Sequence, residues 1–143
     1  MELTLSRETL CFERLALSQR EQVSVEGEAT LPGSMRDAVT VLSVQAQAYL
    51  EKAEAVAGGV MFKGHVSFQA LYTQGDLTRI RAMETTCDFE HSIEAQEATP
   101  DMRVNASVAV QETEGTAVSG RMTLRALLDI QAEAFETTRQ ELV

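Results

Sequence analysis

The sequence predicts an all-β domain, an antiparallel β-sandwich with one short helix after the strand that holds Gly27. Three observations predict it. Apolar residues recur with a period of two along most of the chain, turn residues fall between those runs, and one glycine-centred strand motif occurs three times. The 143 residues fit a single domain over 1–143, long enough to bury a core of its own. Within it, residues 1–20 read as an N-terminal strand region, 21–135 as the core and 136–143 as a C-terminal tail.

Taken in order, Val23, Val25, Ala29 and Leu31 alternate with Ser24, Glu26, Glu28 and Thr30, which gives a strand with one wet face. Pro32-Gly33-Ser34 ends it. Ser34 as N-cap and Asp37 at the third helical position then predict the short helix, Met35–Leu42. After Gly58-Gly59 a long strand places Val60, Phe62, Gly64, Val66, Phe68, Ala70 and Tyr72 on one face. Gln74-Gly75-Asp76 separates it from a strand running from Leu77 to about Thr86. Thr99-Pro100-Asp101 and Glu114-Gly115 bracket a strand through Val104, Ala106, Val108 and Val110. Met122, Leu124, Ala126, Leu128 and Ile130 form the last clear strand. Residues 131–143, rich in Ala, Glu and Gln, fit a helix or a strand equally well.

The repeat has the form apolar-x-Gly-x-apolar-Ser/Thr-apolar, centred on Gly27, Gly64 and Gly120. Glycine weakens a strand interior, so three at one register predict a bulge or a close backbone approach over the core. With Pro32 these glycines are the structural positions singled out by the sequence.

The net charge of −10 is spread along the chain and repels phosphate backbones and anionic lipid, which argues against nucleic acid and membrane surfaces as partners. No apolar run is long enough for membrane insertion, and the first residues lack the basic and apolar regions of a secretory signal, so synthesis in a cytoplasm is expected. The two cysteines, Cys11 and Cys87, show no metal or redox spacing and read as structural thiols; a bridge between them would need an oxidising compartment.

The chain offers no phosphate loop, metalloprotease, nucleophile-elbow or Cys/His metal motif, so neither enzyme activity nor a cofactor is expected. His65 sits on a polar strand face and His91 in strand-like sequence; neither has a visible nucleophile or carboxylate partner. Glu26 and Glu28 share one face, where a solvated role outweighs a cation site. Asp76 and Asp101 suit turns, and the absence of Trp disfavours a sugar-stacking platform. What remains is surface. Unblocked strand edges and faces with Ala46, Ala48, Ala106 and Ala109 suit packing against another protein. Three readings follow: a scaffold domain acting through protein–protein contacts, a self-assembling subunit that polymerises through edges or by donating Leu3–Leu17, and a sandwich that binds carbohydrate or another small ligand.

Several segments in order resemble the SPOCS-domain family of endospore-forming Firmicutes. Met1–Leu10 looks like its MELxLxRET opening, and Leu31–Leu42 is similar to its VPD-x-x-PDI-x-x-IL segment. Val60–Val66 followed by Ala70-Leu71-Tyr72 resembles its V-x-V-x-G-x-V…LY strand, and Asp88-Phe89 matches a later position. The chain departs from the pattern at Gly33 and Arg36, where the family has Asp and Pro, and holds one copy of the domain without the LysM module many members carry. The resemblance implies a structural sporulation protein made in the mother cell and placed at the forespore surface in the spore coat. Its implied partners are coat or coat-basement proteins, with a homo-oligomer also open. It transfers no residue-level binding site.

Overall fold

The computed structural model describes residues 8–31, 39–75 and 79–142. They form six strands, β1 Glu8–Thr30, β2 Val39–Val56, β3 Gly59–Gln74, β4 Ile80–Glu94, β5 Arg103–Val118 and β6 Arg121–Leu142. Two antiparallel three-stranded sheets result, ordered β1-β6-β5 and β2-β3-β4, with no helix among the described residues. The two central strands face each other, and the edges lie β2 against β5 and β4 against β1.

The period-two pattern builds the core. Inward residues of β6 (Met122, Leu124, Ala126, Leu128, Ile130) and of β3 (Val60, Phe62, Val66, Phe68, Ala70) are essentially solvent-free. The bulk of Phe62, Phe68 and Tyr72 on β3 is complemented by alanines at 126, 132 and 134 on β6, the large-against-small pairing that fills a thin sandwich. Each fully buried Leu, Ile or Phe contributes about 1.5–3 kcal/mol by leaving water. Ala95 and Ala98, in the β4–β5 connection, cap one end of this core through backbone bonds to Gly58 in both directions (Ala95 N–H to Gly58 O 3.0 Å, Gly58 N–H to Ala98 O 3.1 Å).

Turns follow their residues. Ser119 (φ 51°) and Gly120 (φ 77°) both take positive φ, the hairpin geometry whose twist matches the strands on either side. Gly58 (φ 79°) and Gly75 (φ 67°) serve the same need in the β2–β3 and β3–β4 turns.

Three expectations change. Glu114-Gly115, expected to end a strand, lies inside β5, whose pairing with β6 carries the strand on to the turn at Ser119-Gly120. Residues 35–38 of the expected helix, with Pro32, Ser34 and the turn residue Asp76, lie outside the described residues, while Val39–Leu42 open β2 as a strand. The tertiary pairing of Val39–Val41 with Tyr72–Gln74 overrides the local capping signal there. The C-terminal stretch left open between helix and strand is strand as far as Leu142, pairing back to Glu8.

Candidate functional site

Strand edges and outer sheet faces are the features that a partner or ligand would meet. On the outer face of the β1-β6-β5 sheet, Asp129 projects from the central strand yet is 7% exposed, because Arg20 lies over it. Nε and Nη2 of Arg20 donate to the two carboxylate oxygens at 2.9 and 2.5 Å, and this holds the Asp129 carboxyl below the usual aspartate range. Farther along, Arg103 of β5 stacks 4.6 Å over the Phe135 ring and forks onto Glu13 of β1 at 2.6 and 2.7 Å, tying the two edge strands together across β6. That hydrogen-bonded guanidinium likewise lowers the Glu13 carboxyl. A shallow depression of about 480 Å³ on this face is lined by Ser24, Glu112, Thr113, Glu114, Arg125 and Leu127, with Arg125 donating to Glu114 at 2.6 Å.

The outer face of the other sheet is a polar grid. Tyr49 stacks on His65 at 5.0 Å, and His65 Nδ1 lies 2.8 Å from Glu51. Gln45, Gln47, Ser67, Gln69 and Glu84 line a smaller depression of about 220 Å³ beside them. His91 sits elsewhere, 3.0 Å from Glu21 of β1 but without hydrogen-bond alignment. The two histidines therefore each meet a glutamate, Glu51 and Glu21, that spacing alone did not reveal: each pair joins two different strands. Among the described residues no cluster of three His, Cys, Asp or Glu side chains is arranged to hold a metal ion. Among them, too, no helix is long and apolar enough to cross a membrane.

The singled-out glycines do not gather at one place. Gly27 lies on β1 facing Cys87 and Phe68, and a Cβ there would fall 2.6 Å from the Cys87 sulfur. At Gly64, on β3, a Cβ would strike the main-chain carbonyl of Tyr49 and approach Phe89 at 3.0 Å. Gly120 occupies the β5–β6 turn rather than a strand interior, and its carbonyl accepts from Leu31 N–H at 2.8 Å. Cys87 is a free thiol that donates to Glu26 O at 3.1 Å, with its pKa pushed up by burial and by neighbouring Asp88. Residues 8–17, most of the segment read as a possible donor strand, already pair with β6 of the same chain, so donation would require exchange of that partner.

The two sides of the sandwich close differently. Between β2 and β5, Thr113 Oγ1 donates to Val44 O at 2.9 Å and Gly115 lets Val44 and Val41 pack down on its backbone. Between β1 and β4 the approach is looser, crossed by the Cys87–Glu26 bond and the His91–Glu21 pair. Three edge strands carry bulges: between Leu15 and Leu17 on β1, at two places on β2, and between Val110 and Glu112 on β5.

No curated protein and no solved structure matches the chain. The family model described as SipL, SPOCS domain, matches residues 37–118, which takes in β2 through β5 and thus the whole second sheet. A match over more than half of the sequence, on a β-rich fold, places this chain in the SPOCS-domain family.

Proposed function

We propose that this chain is a non-enzymatic scaffold domain of spore morphogenesis, acting through protein–protein contacts in the coat. The SPOCS match over residues 37–118 carries the reading, since that family is tied to sporulation. The surface is in keeping with it. Its depressions are shallow and open, its histidines are paired to single glutamates, and its free features are strand edges that suit an extended protein segment. The partners are coat or coat-basement proteins. The chain is made in the mother cell and comes to the forespore surface.

Affinity capture with the tagged chain from a sporulating endospore-former, read by mass spectrometry, tests this. Enrichment of coat or coat-basement proteins is the expected result. Recovery of the bait alone would overturn the scaffold reading and turn attention to self-assembly.

A further inference from the structure

We propose that the free edge of β4 is a strand-acceptor site, taking an extended partner segment in which basic and apolar residues alternate. The inference rests on the protein-binding reading above and names its surface.

Strand edges are protected by bulges, prolines, charged side chains or close cover, and the first half of β4 relies on charge, which a partner of opposite charge can match. Of the four edge strands, β1, β2 and β5 each carry a register shift, whereas β4 pairs with β3 from Ile80 to Glu94 over fifteen residues without one. It contains no proline. Among the described residues cover is also least here. The β2–β5 side is sealed by the Thr113–Val44 bond and the packing on Gly115, while β4 meets β1 through ties from two inward side chains, Cys87 at its midpoint and His91 beyond it. Those ties set Glu26 beside Cys87 and Glu21 beside His91, so β4 runs antiparallel to β1 and its first residues pass the end of β1 at Thr30. Among the described residues, Arg81, which shares the inward parity of Met83, is exposed at this end of the strand.

Charge selects the occupant. β4 bears Glu84, Asp88, Glu90 and Glu94 against Arg81 alone, and Glu84 and Asp88 project from the outer face beside the free edge. An added strand places its outward side chains opposite these carboxylates, where lysine or arginine is favoured. Its alternate side chains point inward, beside Met83, where apolar residues fit, and the tie of Cys87 to β1 closes the far end of that row. A second copy of β4 brings the same net negative charge and is disfavoured as occupant. In the register centred on Thr86, Glu84 stands opposite Asp88, like charges face to face.

The test uses the full chain and three blocked nine-residue peptides. One alternates lysine with valine, one has the same composition with lysines and valines in separate blocks, and one alternates glutamate with valine. Titration calorimetry and amide hydrogen exchange are the readouts. The alternating lysine peptide is expected to bind saturably and to slow exchange of β4 amides. The double variant Glu84→Lys/Asp88→Lys is expected to weaken it at least about tenfold, each cross-strand attraction becoming a repulsion. Glu84→Gln/Asp88→Asn, which removes charge without reversing it, gives a smaller loss and serves if the reversed chain fails to fold. Equal binding of the block peptide, protection outside β4, unchanged affinity in both variants, or no binding would overturn the proposal. Capture from sporulating cells separates the two levels. Coat proteins held equally by native and charge-reversed chains refute the β4 site and leave the scaffold reading, whereas coat proteins held by neither refute the scaffold reading itself.

Discussion

Replacing Gly64 with Ala puts one methyl group where the sandwich has no space for it. Gly64 lies on the central strand β3, paired with Leu50 on one side and Phe89 on the other, so its backbone cannot shift without moving both neighbours. The new Cβ strikes the Tyr49 carbonyl, a main-chain atom beside the β2 bulge, and approaches the Phe89 ring at 3.0 Å. Two effects oppose each other. Alanine restrains the unfolded chain more than glycine, a gain of about 0.5–1 kcal/mol. Overpacking against backbone costs about 1–3 kcal/mol and here belongs at the upper end, because a carbonyl cannot rotate away like a side chain. The net loss is about 1–2.5 kcal/mol, or a melting point lower by roughly 3–10 °C at this chain length. Gly58→Ala is the control: a Cβ there meets nothing within 4 Å, and the penalty is the positive φ of 79°. Asparagine tolerates that conformation, so Gly58→Asn should recover part of the loss while Gly64→Asn recovers none. Urea and thermal unfolding measure both pairs. An unchanged melting point for Gly64→Ala would refute the close-approach argument.

Further outcomes follow from the packing and the ion pairs. Phe68→Ala, at a fully buried site between the sheets, should lose about 3–5 kcal/mol in urea unfolding, a large part of the 5–15 kcal/mol typical of a domain; a loss under about 1 kcal/mol would show that the core lies elsewhere. The Asp129 carboxyl is lowered by Arg20 in the folded chain, so its stabilisation is complete above the unfolded aspartate value of about 3.9 and is lost as pH falls through the lower folded value. Melting temperature should therefore drop on acidification below about pH 4 more steeply in the native chain than in Asp129→Asn. Parallel curves would contradict the pairing. Burial and Asp88 raise the Cys87 thiol, so its alkylation by iodoacetamide at neutral pH should be slower than that of the same thiol in the unfolded chain; equal rates would contradict the burial.

The sandwich was legible wherever alternation ran unbroken. Val60–Tyr72 and Met122–Ile130 read as strands in the sequence and are the two central strands, which lack bulges of their own. The edge strands were harder to read because bulges reset the phase. In β2 the partly buried residues run Val39, Val41, then Val44, Ala46, Ala48, Leu50, then Ala53, so no single period-two frame fits the strand, and its alanines look helical. A similar slip at Ala16 breaks the register between Leu15 and Leu17 in β1. At the candidate site, the carboxylates Glu84 and Asp88 are visible in the sequence. What makes them informative, the unbulged edge and its place beside β1, depends on strand order and register that alternation does not encode.

Affinity capture run in parallel from sporulating and vegetative cells, with the full chain as bait, tests the central claim most directly. The scaffold account predicts coat or coat-basement proteins held from the sporulating lysate and absent from the vegetative one. The same set of proteins from both lysates, or the bait alone, would contradict it.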